Sequence, residues 1–265
     1  AYIIEFGHQY FRVYKDNGQI TSGGSAVEVV TTYDEDDLFD LHFAQSADVL
    51  YIVHKGYVPR KITRSSHTSW SIADVSFSNK PSGFVSGADT YPGSVTFFQE
   101  RLFFAGSNDS PQTLYGSKAG SYEDMDQGSG ASDDGVQYTL AANEVNVIQW
   151  LASSSTGMLI GTVGGEFIAT GGGTGEPITP TNIMIVPETR FGSASVSPVE
   201  VGRSVLFVQR SKRKIQEMTY SLNVEGYVAP DLTILSEHIT TGGILDMAYQ
   251  KEPDRLLWMV RNDGQ

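Results

Sequence analysis

The stretch Leu102-Phe103-Phe104-Ala105 is a continuous apolar run that follows the polar residues Gln99, Glu100 and Arg101. Four further runs of the same kind occur at residues 49–53, 158–161, 205–208 and 256–260. With Leu50, Phe103, Leu159, Val205 and Leu256 as markers, successive runs are separated by 53, 56, 46 and 51 residues. A period near fifty residues is typical of propeller blades or of another repeat array.

A second, more polar strand is predicted after each of the first four apolar runs, at residues 60–63, 112–115, 166–169 and 214–218. The first strands are nearly continuous in apolar residues, which is the pattern of strands covered on both faces of their sheet. Blades that stack face to face cover their inner strands in this way. The sequence therefore predicts an all-β, β-propeller-like array of about five antiparallel blades, in a single domain over residues 1–265.

Both ends of the chain carry an apolar strand followed by hairpin residues. Residues 10–14 lead into Asn17-Gly18, and residues 256–260 lead into Asp263-Gly264. Asn-Gly and Asp-Gly are favoured hairpin turns because they tolerate positive φ. We expect the chain to stop inside a hairpin, as a fragment of a longer polypeptide truncated at both ends.

Helix is predicted at one place. Thr32 with Glu35 three residues later forms a capping box, and Leu38, Leu41 and Ala44 would form the apolar face of a short helix.

The charge balance argues against several function classes. The chain has 18 basic and 31 acidic residues, a net charge of −13, and no cysteine. Such an acidic surface repels phosphates, so tight binding to nucleic acid or to an anionic membrane is disfavoured. The lack of cysteine excludes disulfides and thiol catalysis. No apolar run reaches the length of about 18 residues that a membrane span needs.

No catalytic motif occurs in the sequence, so we expect neither an enzyme nor a cofactor or metal site. The Gly-x-Ser-x-Gly elbow and the phosphate-binding loop are both missing. Acidic residues 34–37, and the group Asp124, Asp126, Asp133 and Asp134, are candidate cation ligands. A solvent-facing helix start and a flexible acidic loop are the favoured interpretations. An acid/base pair for glycoside hydrolysis remains open, because carboxylates are plentiful.

One basic segment interrupts the acidic trend. Arg210, Lys212, Arg213 and Lys214 lie between two predicted strands, at a hairpin tip. The simpler interpretation is a solvated turn that protects a sheet edge. The functional interpretation is a contact with DNA phosphates or with an acidic neighbouring subunit.

Five strings of sequence, at residues 5–14, 45–54, 97–106, 225–233 and 249–255, occur in one order along the chain. Together they resemble the tail-nozzle (tail tubular protein B-like) and packaged-DNA stabilisation proteins of short-tailed bacteriophages and prophages. The resemblance implies a structural virion protein, made in the host cytoplasm, that assembles with identical subunits into a ring, commonly sixfold. The ring would contact other tail and portal-proximal proteins and let double-stranded DNA pass without specific binding. The alternative is a phage propeller that binds or cleaves glycans of the host surface.

Overall fold

The structure, a computed structural model, describes residues 1–84, 90–141, 146–173 and 175–264. Within these residues the chain consists of antiparallel β-sheets, and its one helix is the 3-10 segment Glu35–Asp40. No described helix is long enough to cross a membrane.

The first sheet is irregular, because its central strand pairs with three others. It begins with β1 (Ile3–Gly7), β2 (Tyr10–Lys15) and β3 (Gly18–Gln19). A separate two-stranded ribbon follows, made of β4 (Thr21–Ser22) and β5 (Ser25–Ala26), and then β6 (Glu28–Val30) returns to pair with β2. The β2–β3 hairpin turns at Asp16 and Asn17, which both have positive φ. The turn lies one residue before the predicted Asn17-Gly18 pair, because Gly18 pairs with Lys15 at the start of β3.

The next four sheets each contain four strands in chain order. The second sheet contains β7 (His42–Ser46), β8 (Val49–His54), β9 (Tyr57–Arg64) and β10 (Trp70–Asp74). The third contains β11 (Ser94–Phe98), β12 (Arg101–Ala105), β13 (Thr113–Gly116) and β14 (Val136–Thr139). The fourth contains β15 (Ile148–Ser153), β16 (Met158–Thr162), β17 (Glu166–Thr170) and β18 (Met184–Thr189). The fifth contains β19 (Val199–Val201), β20 (Ser204–Val208), β21 (Ile215–Ser221) and β22 (Gly226–Val228), and the sixth has only β23 (Ile244–Gln250) and β24 (Leu256–Arg261).

The core is a series of apolar layers between consecutive sheets. One layer joins the first and second sheets through Phe11 and Ile52, and the next joins the second and third through Tyr51 and Phe104. The series continues through Phe103 against Ile160, and its remaining two layers unite the fourth sheet with the fifth and the fifth with the sixth. The sheets are therefore stacked face to face in chain order, and the all-β, propeller-like fold class predicted from the sequence is confirmed.

The strands that carry the repeat markers supply residues to both neighbouring layers. Phe103 belongs to the layer on one side of the third sheet and Phe104 to the layer on the other side. Leu159 and Ile160 divide in the same way in the fourth sheet. Because successive strand residues point to opposite faces, a continuous apolar run is needed wherever both faces are covered. This explains the repeat near fifty residues, since each marker lies in the second strand of its own sheet.

Strand β24 departs from that pattern. Leu257 and Met259 pack against the fifth sheet, but Leu256, Trp258 and Val260 are exposed. The expectation that every repeated apolar run is covered on both faces is wrong for this strand. In the described part of the chain no further sheet lies on its outer face.

The helix differs from its prediction in its start and its type. It begins after Asp34, whose N–H donates to Asp37 Oδ2 at 2.8 Å, so the capping pair is two residues later than expected. The Thr32 hydroxyl instead accepts a hydrogen bond from Arg60 at 2.6 Å. Ala44, expected on the helix face, lies in β7, because the helix ends at Asp40.

Candidate functional site

The basic segment predicted as a hairpin tip connects β20 to β21. The Gln209 N–H donates to the carbonyl of Lys214 at 2.9 Å, and the Lys212 N–H donates to the carbonyl of Gln209 at 2.8 Å. Lys212 has a φ of 59°, in the left-handed region that tight turns use. The hairpin is therefore a defined turn, and its cations project from a fixed backbone.

Lys214 is engaged within the protein's own structure. Its Nζ donates to Asp231 Oδ2 at 2.8 Å and lies 3.3 Å from Glu237 Oε1. The hydrogen bond to Asp231 is the main cause that raises the pKa of Lys214. Burial alone would raise the pKa of Asp231, but the Lys214 and Thr233 hydrogen bonds lower it overall. Lys214 therefore fastens the loop after β22 to the hairpin.

The other three cations of the hairpin remain open to a partner. Arg210 is exposed, and among the described residues its guanidinium contacts the carbonyl of Val163, at 3.4 Å. Within the ranges that the structure describes, Lys212 and Arg213 form no ion pair. The structure thus places all four predicted contact residues at one turn, where Arg210 and Arg213 are exposed, Lys212 is half-buried and Lys214 is paired with Asp231 and Glu237.

The acidic loop between β13 and β14 is held by a buried arginine. Arg101 is only 2% exposed and lies at the start of β12. Its guanidinium donates to the carbonyls of Ser117 at 2.6 Å, Ser132 at 2.6 Å and Asp134 at 2.5 Å. The expected flexible loop is therefore tied to the third sheet at several points.

Asp134, one of the candidate cation ligands, already has a full set of donors. Its Oδ2 accepts the N–H groups of Ser129 and Gly130 at 3.0 Å and of Ala131 at 2.8 Å. Lys118 donates to its Oδ1 at 3.1 Å. The hydrogen bond from Ala131, followed by that from Lys118, lowers the pKa of Asp134. Among the described residues, no group of three or more histidines and carboxylates has a metal-holding arrangement.

Glu166 is a second buried ionisable residue, and it lies at the start of β17. Thr189 Oγ1 donates to its Oε2 at 2.5 Å and Ser193 Oγ donates to its Oε1 at 2.8 Å. The Phe191 N–H adds a bond of 3.3 Å. Burial raises the pKa of Glu166, although these hydrogen bonds work to lower it. The carboxyl group therefore anchors the connection between the fourth and fifth sheets.

Two histidines lie close to the ends of β7 and β8. His42 is buried, and its Nδ1 lies 3.3 Å from Ser197 Oγ, although the two residues are 155 positions apart. Burial, with smaller effects of Lys55 and His54, lowers the pKa of His42 to about 4. This contact joins the second sheet to the chain that enters the fifth.

His54 is arranged as a structural group. Its Nδ1 accepts the Gly56 N–H at 3.0 Å, so the proton of the neutral ring is on Nε2. Nε2 lies 3.8 Å from Asp37 Oδ1, while the Tyr57 hydroxyl donates to Asp37 Oδ2 at 2.7 Å. The Nδ1 lone pair of His54 is therefore occupied by a backbone N–H.

A cleft of about 290 Å³ between the first and second sheets combines aromatic and polar groups. The rings of Tyr2 and Trp70 meet edge to face with their centroids 5.1 Å apart. Asp48 is the one carboxylate of its described lining and accepts a hydrogen bond of 2.9 Å from Arg64. Aromatic rings beside planar polar groups can bind a sugar, but a single paired carboxylate does not form the pair that glycoside hydrolysis uses.

The sequence did not single out Arg101 or Glu166 as organising residues. Arg101 binds backbone carbonyls, which leave no side-chain motif in the sequence. Glu166 binds hydroxyl and N–H groups that lie more than twenty residues away.

Comparison with known proteins shows likeness in fold. No protein-family model and no curated protein matches the chain. A protein described as the extracellular domain of a hybrid two-component system from B. thetaiotaomicron is similar in structure, with a TM-score of 0.58 and 10% sequence identity. The match covers 98% of this chain but only 30% of that protein. BBS1N, crystallised with ARL6DN, also matches, at a TM-score of 0.47 and 10% identity, over 99% of this chain and 72% of that one.

Proposed function

We propose that the chain is a structural component of a short-tailed phage tail, of the nozzle or head–tail connector kind. The observation that carries this proposal is the set of ordered strings that resemble that family. Three of them, at residues 5–14, 45–54 and 97–106, each contain the turn and nearly all of the second strand of one hairpin, formed by β1–β2, β7–β8 and β11–β12. A string that contains a hairpin turn with its second strand and no catalytic motif supports a role in building a wall.

In this proposal, identical subunits form a ring around the channel that carries the genome. Stacked sheets with buried middle strands provide a rigid wall, because close-packed cores deform little. The net charge of −13 lets DNA slide past without tight binding, since like charges repel. Salt would screen this repulsion over about 8 Å at physiological strength.

The test is electron microscopy of the purified protein, read together with a DNA mobility-shift assay. We expect rings with a central opening and no shift of duplex DNA. A basic channel wall in the assembled ring would overturn the sliding mechanism. Immunogold labelling of phage particles provides an independent readout, and label absent from the tails would overturn the proposed location.

The second candidate function is binding of host-surface glycans, and the cleft at Tyr2 and Trp70 is the observation that favours it. The arrangement favours binding over cleavage, because Asp48 is paired with Arg64. Glycan-array binding that Trp70→Ala abolishes would support this function. Release of sugar from a polysaccharide would instead indicate a glycan-cleaving enzyme.

A further inference from the structure

The loop between β22 and β23 exposes four large aliphatic side chains. We call them the apolar knob, which consists of Leu232, Ile234, Leu235 and Ile239. Leu235 is 93% exposed. Side chains of this size are usually at least partly covered, and a contiguous exposed apolar group is a feature of contact surfaces.

The loop that carries the knob is fixed in place. The Leu232 N–H donates to the carbonyl of Ile215 in β21 at 2.9 Å. The Thr233 hydroxyl donates to Asp231 at 2.6 Å, and two successive turns close with the N–H groups of Ser236 and Ile239 at 2.9 Å. The exposed side chains therefore project from an ordered loop, which lowers the entropy cost of using them in a contact.

The knob and the basic hairpin form one surface. Lys214 bridges Asp231 and Glu237 on either side of Ile234 and Leu235. The Thr240 hydroxyl donates to the carbonyl of Arg213 at 2.6 Å, and the Ile244 N–H donates to the carbonyl of Lys212 at 2.7 Å. The loop that carries the aliphatic side chains is thus held beside Lys212 and Arg213, which form no ion pair among the described residues.

We infer that this surface docks on the acidic surface of a second copy of the chain, an inference that rests on the proposed ring function. The net charge of the chain indicates which partner this surface fits. Lys212 and Arg213, which form no ion pair among the described residues, lie on a chain with 31 acidic residues and a net charge of −13, so another copy offers many carboxylates of the complementary sign. Two basic hairpins would repel each other. The contact is therefore heterologous, head to tail, and contacts of that kind generate rings when the rotation closes.

The other occupants fit less well. An anionic membrane is not a component of the ring on which this inference rests. DNA phosphates would engage the cations but gain nothing from four aliphatic side chains, because phosphate contacts depend on charge and hydrogen bonding.

The test is sedimentation velocity over a concentration series, with variants of the whole chain. Leu235→Ser changes a side chain in solvent and should weaken self-association at least tenfold. Leu222→Ser is the matched control, because Leu222 is 82% exposed at the turn between β21 and β22 in the same sheet. It should leave association unchanged. The double variant Lys212→Glu/Arg213→Glu should also abolish association, and raised salt should weaken the wild type.

Carbodiimide cross-linking of mixed light and ¹⁵N-labelled chains should join Lys212 to a carboxylate of another copy. The inference is overturned by a monomeric wild type, by equal effects of Leu235→Ser and Leu222→Ser, or by flotation with phosphatidylglycerol vesicles that requires Leu235. Rings that survive both the Leu235 and the charge variants would overturn this contact but leave the tail function standing. Dimers that depend on the knob but never close into rings would support this contact and overturn the proposed ring function.

Discussion

Replacing Arg101 by methionine tests whether a single buried cation holds the acidic loop onto the third sheet. Arg101 donates to three backbone carbonyls, of Ser117, Ser132 and Asp134, at 2.5–2.6 Å. Methionine has a similar length and suits a buried site, so the change removes the donors and leaves no large cavity. The carbonyls then lose their partners in a region that water reaches poorly.

The magnitude follows from the number of acceptors. Leaving a buried hydrogen-bonding group without its partner costs about 1–3 kcal/mol. The backbone carbonyls of Ser132 and Asp134 can move toward solvent with the loop, which reduces the free-energy cost of losing their hydrogen bonds. We therefore expect a loss of about 3–5 kcal/mol in the free energy of unfolding. At about 2–4 °C per kcal/mol for a chain of this size, the melting temperature should fall by roughly 10 °C.

The assay is thermal and urea unfolding, followed by circular dichroism and by the fluorescence of the three tryptophans. Arg255→Met is the matched control. Arg255 precedes the apolar run of β24 as Arg101 precedes that of β12, but it is exposed. It should change the free energy of unfolding by less than about 0.5 kcal/mol. Limited proteolysis should also cut Arg101→Met faster within residues 117–135.

A free energy of unfolding for Arg101→Met within 1 kcal/mol of wild type, with unchanged proteolysis of the loop, would refute this reasoning. Arg101→Lys refines the result. An ammonium group keeps the charge but cannot match the fixed fork of the guanidinium. The free energy of unfolding of Arg101→Lys should therefore lie between those of the wild type and of Arg101→Met.

Three further changes have expected outcomes that the structure determines. Because the pKa of His42 is lowered to about 4 in the folded state, the unfolded chain binds the proton more readily. Stability should therefore fall as the pH drops from the ordinary histidine pKa toward 4, and His42→Gln should remove that slope in pH-dependent urea unfolding. The pKa of Glu166 is raised by burial, so the folded state keeps its proton more readily and stability should fall as the pH rises through the interval between the ordinary and the raised value. The free energy of unfolding of Glu166→Gln relative to wild type should rise across that interval, and a flat difference would contradict the assignment. A Cβ on Gly161 would lie 2.0 Å from Trp150 Cε2, so Gly161→Ala should cost about 1–3 kcal/mol in thermal unfolding, whereas Gly18→Ala, where a Cβ meets nothing closer than 3.8 Å, should cost much less.

The interior of the fold could be predicted from the sequence because a strand that is covered on both faces has a continuous run of apolar residues. Phe103 and Phe104 must enter different layers, so both positions have to be apolar. The basic hairpin could be located for a similar reason, since charged residues between two apolar runs indicate a turn. The separation of Lys214 from the other cations could not be predicted. It depends on Asp231 and Glu237, which lie 17 and 23 positions further along the chain.

The start of the helix shows a different limit. Thr32 with Glu35, and Asp34 with Asp37, are both valid capping pairs, so the local sequence offers two starts. The choice is made by tertiary contacts, because Arg60 occupies the Thr32 hydroxyl and Tyr33 is fully buried. A residue that donates or accepts elsewhere is no longer available as a cap, and no local pattern records that competition.

Strand β24 shows what a continuous apolar run, with residues on both faces of the strand, determines. Residues on successive positions face opposite sides, so five apolar residues in a row require two covering surfaces. Leu257 and Met259 have one in the fifth sheet, whereas Trp258 on the other face is 59% exposed. Full burial of such a side chain stabilises by about 1.5–3 kcal/mol, so any surface placed there would add stability. Layers inside the array follow from the repeat, because each sheet is followed by the next. On the outer face of β24 the sequence of the strand specifies the need for a cover but not what supplies it.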